Sequence, residues 1–444
     1  MRVGTAATLF VVVVVVSSVS FAAPVGSSSQ QLVRGPPNDA LADAIRSSPD
    51  PPEESTEPDP LSGFGAVHDA GVTGDGVRVG VIGGEFSPGG SPIGDSVAAS
   101  RTFADRSSGF SVDSTHDTAV AEIVARTAPD SELYLASIGL DGGPAAYERA
   151  LAWLREQDVD VVVDAGSYFP RTAEGMARMN EAAAATAEND TAFVTSAGNY
   201  AERHWTGTGN EGWLAFANDT RYNTLGEGGI GGSVSLRLYW EGSADYDLYL
   251  YRAENGEDPL IAKSATNESG NGSHTEAIDA TVPRGRYYVA VRGGPDANDS
   301  TVDLFSSRHE LDISSDAGGM VAPATAEGVI AVGAVDAVTG EPRSYSSTGP
   351  RLDISAPDAI DTNTAGEMYG SSVAAPLVAG TLTLMLAENE SLSPTEAQRV
   401  FRDTAVQDDG RLYLDAAGAV TAVTSESPTE IDGDELDWYN GTAD

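Results

Sequence analysis

The chain has no cysteine, which excludes disulfides, thiolate nucleophiles, cysteine-ligated zinc and a lipid-modified cysteine anchor. Lysine is nearly absent too. Lys263 is the only one, and 25 basic residues face 67 acidic ones, for a formal net charge of −42. A phosphate backbone needs a basic face that this composition does not supply, so nucleic acid is excluded as a partner. Like charge at this density drives a compact state apart in dilute buffer, whereas at molar salt the Debye length falls to about 3 Å and the repulsion is screened. The balance reads as adaptation to high salt, with binding of cations or basic partners as the competing explanation.

What is present begins with an N-terminal pattern. Arg2 precedes an apolar run from Leu9 through the valines Val11 to Val16, followed by small residues up to Ala22 and Ala23. This order is that of a secretory signal over residues 1–23. The run is shorter than the roughly 20 apolar residues of a membrane span. A secreted protein with no stable span after signal removal is expected, a retained N-terminal anchor being the alternative. Asn-X-Ser/Thr sequons at Asn189, Asn218, Asn267, Asn271, Asn298, Asn389 and Asn440 agree with export.

At 41% hydrophobic residues the chain can build real cores. Residues 24–60 are rich in Ser, Pro, Asp and Glu and read as a linker or short pro-segment. From Leu61 short apolar segments such as GVRVGVIGG, SELYLASI and TAFVTSAGN alternate with helical patterns such as AAYERALAWLREQDV. The expected fold class is α/β, a parallel sheet with helices on both faces. Over 213–307 the alternation switches to period two, in VSLRLYW, DYDLYLYRA and RYYVAVRGG, which predicts an inserted antiparallel β-sandwich. The α/β pattern returns over 308–424, so 61–212 and 308–424 form the main domain, and 425–444 is an acidic tail. The tyrosines between Tyr246 and Tyr251 serve either a polymer or cell surface or simple packing. No cofactor is expected to be required; the acidic loops are compatible with a structural calcium, but no segment matches the twelve-residue calcium loop and the ion has no assignable place.

Three stretches carry chemistry. His116, in STHDTAVAEIVA, stands at the first turn of an amphipathic helix. Asn199 closes FVTSAGN at the carboxyl edge of a strand, where open α/β sheets place their sites and where an amide can donate to an oxyanion. Ser372, in MYGSSVAAPLVAG, begins a helix whose unpaired amides favour developing negative charge. Each has a plainer reading: a surface histidine, a turn asparagine, a helix cap. Pro376 fits that helix if it falls in the first turn.

In the order His, Asn, Ser, these stretches resemble the subtilisin-like serine peptidase family. HDTAVA is similar to its His-Gly-Thr-X-Val-Ala motif, SAGN to its oxyanion motif and GSSVAAPLVAG to its Gly-Thr-Ser-X-Ala-X-Pro motif. The resemblance covers roughly Gly65 to Val423 apart from the insertion, which resembles a pre-peptidase C-terminal β-sandwich. It implies that Ser372 attacks a peptide carbonyl, His116 carries the proton, and Asn199 with the Ser372 amide holds the oxyanion. Protein or peptide substrates and a monomer are the corresponding expectations. One element departs from the pattern: the family aspartate after the first strand is replaced by Gly83 in VGVIGGEF. Glu85 is the expected substitute, reaching back across the glycines. Asp117 lies about 100° from His116 around the helix and is expected to be a poor partner; Asp95 and Asp113 are further alternatives. A non-catalytic surface-binding relative, and an acyl hydrolase acting on other substrates, complete the readings.

Overall fold

A computed structural model describes residues 59–424, except 90–91, 105–114, 140–141, 189, 266–273, 298–299 and 409. The expected signal, most of the linker, the acidic tail and Asp113 lie outside the described residues.

The chain enters through helix α1 (Gly65–Asp69) and lays down β1 (Arg78–Gly83) and β2 (Val97–Thr102). Helix α2 (Thr115–Thr127), β3 (Glu132–Ser137), helix α3 (Pro144–Glu156), β4 (Val161–Asp164), helix α4 (Ala173–Ala187) and β5 (Ala192–Ser196) follow. Strands β4 and β5 are buried at every residue. Val161 and Val163 enter one apolar cluster with residues of α2, while Val162 joins another with residues of α3 and α4. A strand that alternates its side chains between two covered faces must be apolar throughout, which is why these segments read as continuous apolar runs.

The period-two stretch supplies β6 (His204–Thr208), β7 (Gly212–Trp213), β8 (Asn223–Trp240), β9 (Tyr246–Arg252), β10 (Leu260–Ser264), β11 (Thr275–Gly293) and β12 (Thr301–Ser306). Six of them form one antiparallel sheet in the order β10-β9-β11-β8-β12-β6. The sheet thus begins at His204, ahead of residue 213, because β6 pairs with β12. It is one hydrogen-bonded sheet, where the alternation suggested two. Register shifts at Val282/Gly285 and Gly285/Tyr287 break the β8–β11 ladder into halves. Leu236 and Leu238 of one half share a single buried core with Leu248, Leu250 and Val289 of the other, and the Trp240 and Tyr246 rings meet at 5.3 Å. The core draws almost wholly on the sheet itself, so the two halves close on each other across the bulges. On the opposite face of β8, Arg237 is buried: its guanidinium pairs with Asp279 at 2.9 Å and its Nε donates to Phe169 O at 3.4 Å.

The chain then returns to the first sheet with β13 (Ile330–Val335) and β14 (Ile354–Pro357), adds the hairpin β15 (Ile360–Thr362) and β16 (Gly366–Met368), and forms helix α5 (Ser371–Glu388). Helix α6 (Pro394–Thr404), the hairpin β17 (Val406–Asp408) and β18 (Arg411–Tyr413), and helix α7 (Ala416–Val423) finish it. Ser393 and Glu396 close a reciprocal capping box at the start of α6. The nine-stranded sheet runs β17-β18-β14-β13-β5-β4-β1-β3-β2. All its pairs are parallel except β17 with β18. The order reverses between β1 and β4, and ligand sites of open α/β sheets form outside the carboxyl ends of the strands at such a point. Helix α5 is apolar all round and buried from Ser371 to Leu386, as a helix in the centre of a core must be.

Candidate active site

Helices α2 and α5 bring their first turns together at this edge. Gly380 permits their close crossing, since a Cβ there would stand 2.4 Å from Thr127 Cβ. His116 Nε2 lies 3.1 Å from Ser372 Oγ, and His116 Nδ1 lies 2.9 Å from Asp117 Oδ1. An ionised carboxylate only accepts, so the imidazole proton sits on Nδ1 and Nε2 is left to accept from the Ser372 hydroxyl. All three side chains are buried.

The structure therefore brings Asp117, and not Glu85, to the histidine. Glu85 contributes only its backbone N–H, donated to Asp117 Oδ2 at 3.0 Å. Asp95 is exposed. The 100° separation that counted against Asp117 describes Cβ directions within a helix. The contact is made between side-chain tips, Oδ1 to Nδ1, and not between Cβ atoms. Gly83 supplies the remaining condition. A Cβ on Gly83 would lie 2.8 Å from both Cβ and Cγ of Asp117, so the aspartate fills the space into which a side chain at position 83 would project.

The adjacent serines divide their tasks. Ser371 is fully buried, and its Oγ lies 2.7 Å from Ser196 Oγ and accepts from the Gly198 amide at 3.1 Å. Its amide donates to Asn199 Oδ1 at 2.9 Å. A backbone N–H can only donate, so the atom facing it is the amide oxygen and Asn199 Nδ2 is turned the other way. Among the described residues neither that Nδ2 nor the Ser372 amide has an acceptor, leaving two donors for an oxygen bearing negative charge. Pro376 is the sixth residue of α5, past the first turn, so it deprives the Ser372 carbonyl of its helical partner.

Ahead of Ser371, Gly370 has φ +111°, a conformation that L side chains rarely adopt. Its amide donates at 2.7 Å to Asp358, which also holds Arg343 at 2.8 Å and the Tyr345 hydroxyl. At the end of β4 the fully buried Asp164 accepts from Tyr147 at 2.9 Å, Tyr168 at 3.0 Å and the Gly166 amide at 2.9 Å. Burial, helped by the like charge of Asp117, pushes its carboxyl up to about 6 against those three donors. Neither Asp358 nor Asp164 stands out in the sequence, since each is a single acid at a strand end. Among the described residues no group of three or more metal-ligating side chains is gathered.

A carboxylate, an imidazole and a hydroxyl in hydrogen-bonded series, at the carboxyl edge of a parallel sheet, is the arrangement on which serine hydrolases are built. The chain belongs to the subtilase family, whose model matches residues 95–425. It is 29% identical to subtilisin DY of Bacillus licheniformis over 198 residues, covering 41% of this chain and 65% of that relative. Its fold is subtilisin-like: the CspB protease of Clostridium perfringens superposes with a TM-score of 0.60 at 14% identity, covering 82% of this chain and 96% of that one.

Proposed function

We propose that this protein is a serine endopeptidase, secreted and adapted to high salt, that cleaves peptide bonds with Ser372, His116 and Asp117. The observation that carries the reading is the 2.9 Å contact of Asp117 with His116 Nδ1, next to the 3.1 Å contact of Nε2 with Ser372. In this mechanism Ser372 Oγ attacks the scissile carbonyl as His116 Nε2 takes its proton. Asp117 holds the imidazole in the required tautomer and stabilises the imidazolium. His116 then returns the proton to the leaving amine, and water repeats the cycle on the acyl-enzyme. Asn199 Nδ2 and the Ser372 amide hold the oxyanion, a donor of this kind contributing about 3 to 4 kcal/mol. Secretion rests on the N-terminal pattern, and salt adaptation on the net charge of −42. Strand alternation within residues 213–307 supports the pre-peptidase C-terminal likeness of the insertion. A monomer acting on proteins or peptides completes the proposal.

The non-catalytic alternative requires a histidine without an orienting acid, and the Asp117 contact argues against it. The test is labelling of the purified protein in molar salt with a fluorophosphonate probe, alongside Ser372→Ala. Labelling of the wild type alone is the expected result. A folded wild type that stays unlabelled would leave the binding-protein reading in its place.

A further inference from the structure

The half of the inserted sheet built from β9, β10 and the end of β11 turns one face inward and one to solvent. On the inner side Tyr246, Leu248 and Leu250 are fully buried. Alternation places Asp247, Tyr249 and Tyr251 of β9 on the outer side, opposite Arg292, Ala290 and Tyr288 of β11. The tyrosines near 246–251 thus divide between a core and a surface.

On that side the rings form a continuous file whose second member, Tyr249, is only 7% exposed. Trp213 meets Tyr249 at 5.1 Å, Tyr249 meets Tyr251 at 6.1 Å, Tyr251 meets Tyr288 at 5.3 Å and Tyr288 meets Tyr222 at 5.4 Å. The two ends are open: Trp213 is 37% exposed and Tyr222 52%. Steps of this length match the scale of one sugar ring, and aromatic rings bind apolar sugar faces through contacts that salt does not screen.

Charge narrows the partner. The only lysine of the chain stands here, with Lys263 Nζ 4.8 Å from the Tyr249 ring, and Arg292 lies 5.9 Å from the Trp213 ring. Lys263 is paired with Asp247 at 3.1 Å. Arg292, and Arg286 six residues before it on the same face, are exposed and have no carboxylate partner among the described residues. Carboxylates also touch the file, Asp247 accepting from the Tyr249 hydroxyl at 2.7 Å and Asp258 from the Tyr288 hydroxyl at 2.9 Å, so attraction for an anionic polymer rests on the two guanidiniums alone. Guanidinium groups without partners are suited to bidentate recognition of carboxylate.

We propose that this aromatic file, with Arg286 and Arg292, is a docking surface for a linear acidic polysaccharide. It lies on the solvent side of the inserted sheet and takes no part in the chemistry at Ser372. Polymer bound there would hold the protein on a matrix of acidic glycan.

The test uses the full chain as Ser372→Ala, which prevents self-cleavage, in molar salt. Binding to β-1,4-linked polymannuronate is compared with binding to neutral β-1,4-mannan and to gelatin. Preferential binding of polymannuronate is expected, weakened about tenfold by Trp213→Ala or Tyr222→Ala and severalfold by Arg286→Gln with Arg292→Gln. Both rings are exposed, so these variants should retain the parent unfolding midpoint, which is measured in parallel. Equal binding of mannan, stronger binding of gelatin, no binding of any polymer, or binding indifferent to the ring variants would each overturn the proposal.

Discussion

Asp117 carries the orienting carboxylate one residue from the histidine, and the empty position at Gly83 is what makes room for it. Asp117→Asn should lower kcat about 10⁴-fold with the fold retained, as loss of the orienting acid does in serine proteases, whereas Glu85→Gln should leave kcat within severalfold. Gly83→Asp alone meets the 2.8 Å obstruction at Asp117 and should destabilise the protein. Combining it with Asp117→Gly should recover activity lost in Asp117→Gly alone, and steady-state kinetics on the three variants will show whether it does. Asp164 offers a separate test through pH. Its folded value of about 6 lies above its ordinary 3.8, so the stability it contributes is present below about pH 4 and lost as pH rises through 6, on the order of 3 kcal/mol. Denaturation of wild type and Asp164→Asn between pH 4 and 8 should show the wild type losing ground up to about pH 6 and then a constant difference. A difference independent of pH would mean that Asp164 ionises as an ordinary carboxylate. The candidate serine, histidine and asparagine were legible because each lies in a motif of neighbours. The acid was not, because its role depends on an empty space 34 positions earlier in the chain.

Helix α5 acts as an element. Its Gly380 serves the approach to α2, since a side chain there would meet Thr127. Alanine at a helical position normally gains about 1 kcal/mol over glycine. At 380 its Cβ would stand 2.4 Å from Thr127 Cβ, and overpacking of this kind costs about 1 to 3 kcal/mol. Gly380→Ala should therefore lower the denaturant midpoint and, by shifting α2 against α5, reduce kcat as well. A stabilised variant would show that the helices can separate freely. The existence of α5 and of the parallel strands was readable from apolar runs. The extent of the inserted sheet was not: His204–Thr208 joins it through hydrogen bonds to β12, a pairing across about a hundred residues that no local pattern encodes.

For the whole molecule the governing quantity is the net charge of −42. Screening at molar salt shortens the range of repulsion to about 3 Å, so the unfolding midpoint should climb steeply between about 0.1 M and 2 M KCl and the protein should lose structure in dilute buffer. Circular dichroism melts across that range check it, and a flat response would mean that the acidic surface is not an adaptation to salt.

Composition alone determined that cysteine chemistry is excluded, and with apolar periodicity it determined an α/β chain interrupted by antiparallel strands, because these depend on which residues are present and on their spacing. Order along the chain further picked out His116, Asn199 and Ser372. Tertiary structure decided the rest: that Asp117 reaches the imidazole, that Ser371 orients Asn199, that one folded sheet replaces two, and that five rings line up on its outer face. Each of these depends on which distant groups come within hydrogen-bond or van der Waals reach, and that is a property of packing.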